Sequence, residues 1–275
     1  CTSGLGLAYA RGLRGRGCGL VLVSRDSNKL EKVRATLLSD FPENQMPIDI
    51  VQFDFMSPDR SWYDSLALGN VTLVINNVGV GTEDPLPIDE LTAEECDAMI
   101  AVNCAATTHM CRAVLPLLAA KGIADAAVVN VSSGSSNQPT PFLSVYAATK
   151  AYIAHLSKSL DREWRGRGVR VRCVAPYYIS GTGLFKSNKP SFNAPPPEVV
   201  VDGTLDTLAR FPRVELTMTN RAHAFIAFLF CYIGEDPVLQ HLAKPLAKIA
   251  KVNASMLQVM TKARQRYIDK KQKII

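Results

Sequence analysis

Tyr146 and Lys150 stand four residues apart in Ser-Val-Tyr-Ala-Ala-Thr-Lys, and Ser133 precedes the tyrosine by thirteen. A spacing of four puts the phenol and the ammonium on one face of a helix, where the side chains meet. A neighbouring positive charge favours the phenolate, so the spacing predicts a phenol pKa drawn down toward neutral. Ser133 follows an apolar run, 126–131, that reads as a buried strand. It adds a hydroxyl able to share a substrate oxygen with the tyrosine. Together the three groups make a proton donor and acceptor aimed at a carbonyl or an alcohol. Tyr–Lys pairs at this spacing also arise by chance on exposed helices. The weight therefore falls on the serine at the strand end and on the glycines that open the chain.

Such a site needs a strand to deliver Ser133, a Pro-rich loop, and a helix entered at about residue 145 that runs out near residue 164. The rest of the chain is patterned to hold them. Apolar runs at 19–24, 48–53, 71–75, 126–131 and 168–174 alternate with helical periodicity at 5–13 and 94–120. That alternation is the mark of a parallel sheet with helices on both faces. With 275 residues, 47% hydrophobic and 20% charged, the chain is globular and large enough for one sizeable core. The seven cysteines are scattered without a CxxC pair, and the four histidines lack metal-ligand spacing. We therefore expect no disulfide framework and no metal; the cysteines read as small core residues, and His109 and His155 as satisfied or exposed.

Charge is unevenly spread. From 241 to 275 nine Lys/Arg face one acid, Asp269, so this tail carries +8 while the other 240 residues sum to −2. A nearly neutral fold excludes nucleic acid as a partner of the fold proper.

The chain opens Cys-Thr-Ser-Gly-Leu-Gly, carries Asn-Asn-Val-Gly at 76–79 and Ala-Val-Asn-Cys-Ala at 101–105, and has Pro-Tyr-Tyr-Ile at 176–179. As a set, with Ser133, Tyr146 and Lys150, these motifs resemble the classical short-chain dehydrogenases/reductases. The resemblance implies an α/β fold, a Rossmann-like doubly wound parallel sheet. It assigns catalysis to Asn103, Ser133, Tyr146 and Lys150. It assigns NADP(H) binding to Ser3, Gly4, Leu5, Gly6, Arg25, Asp54, Asn77, Gly79, Pro176 and Ile179, with Tyr146 and Lys150. Asn77 and Gly79 would also stabilise the central strands. Glycines suit a loop where backbone approaches a pyrophosphate at a helix N-terminus. Arg25, just past the strand at 19–24, suits the extra phosphate of NADP better than an acid would. The Thr that the family carries five residues after its Pro is Gly181 here, with Thr182 one place later.

Of the family's seven strands this sequence encodes six, and the central first strand is missing ahead of Cys1. Residues 20–23 and 71–75 should then flank a slot about 10 Å wide, two strand spacings. Unpaired backbone there should leave residues 1–275 unstable on their own and poor at binding NADPH.

Val78 and the Pro-Tyr pair are similar to the subgroup that holds the very-long-chain 3-oxoacyl-CoA reductases and the type 12 17-beta-hydroxysteroid dehydrogenase. That implies a long apolar substrate, first a 3-oxoacyl-CoA in fatty-acid elongation, alternatively a steroid ketone. A catalytically idle NADP-binding or membrane-scaffolding protein is the rival of another class. The same likeness implies an endoplasmic-reticulum membrane protein with its site facing the cytosol, a homodimer, and elongation-complex partners. We expect one reductase domain over 1–275, with 177–233 a substrate lid and apolar helix and 241–275 a basic amphipathic tail. The twelve apolar residues at 222–233 are too few to span a bilayer. The basic tail suits an anionic membrane surface. The ending Lys271-Gln272-Lys273-Ile274-Ile275 fits a di-lysine retrieval signal.

Overall fold

The computed structural model describes residues 1–82, 84–123, 126–182, 189–190, 194–210, 216–217 and 256–272. Strands β1 (Leu20–Ser24) and β2 (Ile48–Gln52) pair in parallel. Strands β3 (Leu73–Asn76), β4 (Ala126–Val131), β5 (Val169–Val174) and β6 (Leu216–Thr217) form a second parallel sheet in that order. β1 and β3 do not pair with each other, so the break expected between 20–23 and 71–75 is present. Burial follows the same geometry. β4 and β5, covered on both faces, are buried at five of six positions, whereas β1 and β3 beside the break are each buried at one.

Helix α1 (Gly4–Arg14) precedes β1, and α2 (Ser27–Asp40) links β1 to β2. Asp26 caps α2, its carboxylate accepting from the Lys29 N–H at 2.9 Å. A short α3 (Ser61–Asp64) precedes β3. The helix expected at 94–120 spans α4 (Ala93–Met99) and α5 (Ala106–Ala120), joined by a π-helical turn, Ile100–Ala105. Its start is set by a reciprocal cap between Thr92 and Glu95. By length and apolarity the Ala93–Ala120 run could cross a membrane, yet half of its apolar window is buried inside the fold. Val114, Leu115 and Leu118 meet Val128 of β4 and Val171 of β5 in the main core, so the run is a core helix.

Helix α6 (Ser144–Trp164) returns along the sheet to β5 and is pinned there by charge. Asp161, fully buried, accepts from Arg172 Nη1 and from the Val171 N–H, both at 3.0 Å, and pairs with Arg165. A second buried arginine, Arg14, ties α1 to the β1–β2 connection through the carbonyls of Met46 and Asn44. Helix α7 (Pro197–Arg210) lays Val200, Val201 and Leu205 against Leu5, Ala8 and Tyr9 of α1. The Tyr9 hydroxyl donates to Thr204 Oγ1 at 3.2 Å across that contact.

The described part of the basic tail is helix α8 (Met256–Gln272), and one side of it is docked. Arg264 pairs with Glu90 and donates to the Pro85 carbonyl at 3.3 Å. The apolar stretch 222–233, half of the 186–197 segment of the expected lid, and 242–255 lie outside the described residues. Two cysteines, Cys111 and Cys173, are buried; Cys1, Cys96 and Cys104 are half-covered and Cys18 is exposed. The core reading thus holds for two of these six. Cys1 lies against the Val23 carbonyl beside the break in the sheet, and Cys104 against the Thr149 carbonyl of α6.

Candidate active site

Ser133 leaves the end of β4 in extended conformation and caps a 3-10 turn, Gly134–Asn137, its Oγ accepting from the Ser135 N–H at 3.3 Å. The Gly134 N–H donates to the Pro176 carbonyl at 2.8 Å, joining this turn to the segment after β5. Gly134 lies flat under the Tyr177 ring, where a Cβ would come within 2.5 Å of ring carbon. Only glycine leaves room for that contact. The chain then turns through Phe142, which holds a positive φ of 64°, strained for a side chain of that size. Its carbonyl accepts from the Leu86 N–H at 2.9 Å, which holds the turn into α6.

On α6 the structure brings Tyr146, Lys150 and Ser133 together. The Ser133 hydroxyl lies beside the Tyr146 phenol, and Lys150 Nζ lies 5.5 Å from the centre of the Tyr146 ring. The Lys150 ammonium is buried and donates to the Val131 carbonyl at 3.2 Å. Its titration differs from the expected one. Burial pushes the Tyr146 phenol up from its ordinary value, with the Ser133 hydroxyl opposing, and burial pulls Lys150 down to about 8. Desolvation outweighs charge here because the ammonium sits over the ring rather than beside the hydroxyl. The expectation of a depressed phenol is therefore corrected: at neutral pH Tyr146 is a full proton donor.

Asn103 sits in the π turn, fully buried. Its Oδ1 accepts from the Val80 N–H at 2.8 Å, and its Nδ2 donates to the Val80 carbonyl and to Thr149 Oγ1, both at 2.9 Å. The widened turn swings this side chain out of the regular helical register and toward the 79–80 loop. A Cβ on Gly79 would lie 3.1 Å from Lys150 Nζ and 3.3 Å from Asn103 Oδ1, so backbone, amide and ammonium converge at that point.

Gly4 has φ +51°, a conformation that suits glycine, and Ser3, the N-cap of α1, spends no side-chain bond there. The first turn carries no acid, so the free N–H groups of α1 suit an anion. A Cβ on Gly6 would strike Asn77 Nδ2 at 2.9 Å, which places Asn77 directly against the glycine loop. Leu5 is buried under α7. Tying the central strands falls instead to Asn76, which donates to Asn130 Oδ1 at 2.8 Å across β3–β4 while Asn130 donates to Ser157 Oγ at 3.0 Å. Asn76 points into the core and Asn77, by strand alternation, out of it.

Arg25 is exposed at the end of β1. Asp26, the nearest acid, is committed to capping α2 and to Lys29 at 3.4 Å. Asp54 is exposed beyond β2, accepting from the Met56 N–H at 3.0 Å. Pro176 and Ile179 are buried below the β5 end. Thr182, one place past the family's usual Thr, comes to the same loop. Gly181, at φ +69°, turns the chain so that Thr182 Cγ2 lies 3.7 Å from the position of a Cβ on Gly4, against the glycine loop. The residues present fit a dinucleotide lying from the α1 N-terminus to Lys150.

Comparison with known proteins agrees with this geometry. The short chain dehydrogenase family matches residues 1–191. The very-long-chain 3-oxoacyl-CoA reductase of Bos taurus is 35% identical over 214 residues, covering 75% of this chain and 66% of that one. The inactive hydroxysteroid dehydrogenase-like protein 1 of Homo sapiens is 32% identical over 213 residues, covering 75% of this chain and 63% of its own. The chain thus spans roughly two thirds of the length of these relatives. Among solved structures, a short-chain dehydrogenase from Sphingobium yanoikuyae in complex with NADPH superposes with TM-score 0.69 at 24% identity, over 92% of this chain and 93% of that one.

Proposed function

The chain belongs to the short-chain dehydrogenase/reductase family of oxidoreductases, and from that premise we propose that it uses NADPH to reduce the ketone of a long-chain 3-oxoacyl-CoA. The observation that carries this is the hydroxyl pair of Ser133 and protonated Tyr146 above a buried Lys150. Tyr146 gives its proton to the oxygen of the carbonyl under reduction, and Ser133 hydrogen bonds the same oxygen. Lys150 holds the ribose hydroxyls of the dinucleotide, whose nicotinamide supplies the hydride. Asn103 fastens the Gly79–Val80 backbone to α6 and keeps its Oδ1 toward Lys150, where it holds the water that resupplies the proton. Ser3, Gly4, Leu5 and Gly6 form the pyrophosphate cradle, Arg25 meets the 2′-phosphate, Asp54 the adenine, and Asn77, Gly79, Pro176 and Ile179 the remainder.

The likeness to an inactive relative favours one rival, an idle dinucleotide-binding protein. Assay of the full-length protein with NADPH on a long-chain 3-oxoacyl-CoA and on a ketosteroid separates the readings. Turnover of the thioester supports the proposal, turnover of the steroid alone replaces the substrate, and turnover of neither supports the rival.

Two further outcomes follow from the same reading. Arg25→Asp is expected to lower the NADPH/NADH preference in kcat/KM by roughly tenfold to a hundredfold, the worth of one charge-assisted contact. An unchanged ratio would return Arg25 to the surface. The full-length protein is expected to sediment with endoplasmic-reticulum membranes, its site facing the cytosol. Recovery in the soluble fraction without detergent contradicts that placement.

A further inference from the structure

Four successive residues after Ser133 bury polar atoms that bond to nothing: Ser135 Oγ, Ser136 Oγ, Asn137 Nδ2 and Gln138 Nε2. Gln138 is only 8% exposed. Elsewhere among the described residues such atoms are scattered singly, on Arg14, Tyr63, His109 and Arg172. A run of four is unusual in a folded chain, where buried polar groups find partners. The backbone of this turn is committed: Gly134 N–H to Pro176, Ser135 N–H to Ser133 Oγ, and Ser136 N–H to the Ser133 carbonyl at 3.0 Å. Gly134 is clamped under Tyr177. The turn is therefore rigid while its side chains are unspent, and it starts at Ser133, the hydroxyl beside Tyr146.

We propose that the turn at 134–138 is a specificity element, with the Asn137 and Gln138 amide N–H groups recognising a second oxygen of the substrate, the thioester carbonyl two carbons from the reacting ketone. This rests on the 3-oxoacyl-CoA reading and deepens it. Amide N–H groups donate, so their ligand must present an acceptor. A long alkyl chain or a steroid ring beside the reacting carbon offers none, whereas a 3-oxoacyl thioester carries one two carbons from the ketone. A site built to hydrogen bond an oxygen penalises the analogue lacking it, because its own buried groups stay unpaired.

The test compares a long-chain 3-oxoacyl-CoA with the matching 3-oxoalkyl thioether of CoA, which keeps ketone, chain and headgroup but replaces the thioester carbonyl by CH₂. Calorimetric binding to the full-length, NADP⁺-loaded protein is measured beside kcat/KM. The wild type is expected to favour the thioester by on the order of 100-fold. In Asn137→Leu/Gln138→Leu that ratio is expected to fall toward one, mostly through KM and Kd, and Asn137→Gln is expected to restore part of it. Should the double variant fold poorly, the single changes Asn137→Ser and Gln138→Ser give the same ratio test with smaller steps. A wild type that binds both alike overturns the proposal, as does a variant that loses both in parallel at constant ratio; ordered water then fills the turn. Discrimination in binding without turnover leaves the turn's role standing and removes the reductase reading.

Discussion

Tyr146→Phe is expected to lower kcat for carbonyl reduction by about 10²–10⁴-fold while cofactor affinity stays near the wild-type value. Only the hydroxyl is removed, and the ring that packs beneath Lys150 remains. Lys150→Met should differ in three ways. Turnover falls as steeply, cofactor binding falls with it, and the folded protein becomes more stable. The last follows from burial. Lys150 titrates near 8 in the fold and near 10.5 when unfolded, so between those values the unfolded chain binds more protons. Below about pH 8 the penalty is fully present; as pH rises from 8 past 10.5 it disappears and this group's part of the stability improves. Replacement by Met should therefore add on the order of 1–3 kcal/mol at pH 7, read as a rise of a few degrees in Tm, and add little at pH 11. The reaction direction shows the phenol's state as well. Reduction should hold flat through neutral pH, because Tyr146 stays protonated, whereas alcohol oxidation should climb with pH as the phenolate forms. Near-normal reduction by Tyr146→Phe would remove the mechanism; an unchanged or lower Tm in Lys150→Met would remove the burial argument.

The largest loss of stability is expected at Asp161. Asp161→Ala strips Arg172, 1% exposed, of its carboxylate partner and leaves the Val171 N–H unpaired in the core. Breaking a buried pair from one side costs about 3–5 kcal/mol, a sizeable part of the stability of a typical domain. Urea unfolding should show a lower midpoint with an unchanged slope. Asp161→Asn, which keeps one acceptor, should lose less. Asp161 stands fifteen residues beyond Tyr146, about 22 Å along α6, so turnover measured in the folded range should stay near wild type. A loss below 1 kcal/mol would mean that the two arginines reach solvent more easily than their burial implies.

Much of this architecture could be read before the coordinates. Buried parallel strands are continuous apolar runs, so 126–131 and 168–174 were legible as β4 and as the whole of β5 with one residue to spare. The 71–75 run shifted, to Leu73–Asn76, because Asn76 extends the ladder by pairing with Asn130, a polar residue that no apolar pattern includes. Helix α6 matched within a residue, because four-residue spacing is local information. The phenol's titration was not legible: it depends on burial and on where the ammonium lies relative to the ring, which spacing leaves open. The π turn at Asn103 and the charge lock of Asp161 were hidden for a similar reason. Each exists through partners far along the chain, Val80 and Thr149 in one case and Arg172 in the other. The unspent turn at 134–138 reads in the sequence as the start of a Pro-rich loop; only burial turned four ordinary side chains into a question about their ligand.

The docking of α8 changes what truncation can report. Arg264 grips the Pro85 carbonyl and Glu90, and the Leu86 N–H one residue on holds the Phe142 carbonyl at the threshold of α6. A cut that removes 241–275 therefore withdraws a brace from the loop that presents Tyr146, as well as any address the last residues carry. Lost activity in such a shortened protein would be a mechanical injury misread as a sorting defect. Swapping the exposed Lys262 and Arg266 for glutamine, with Arg264 left in its grip, alters the outward charge while the brace stays whole. The converse change, Arg264→Gln, slackens the brace at almost the same charge. Tail chemistry and tail mechanics thus come apart at two neighbouring turns of one helix.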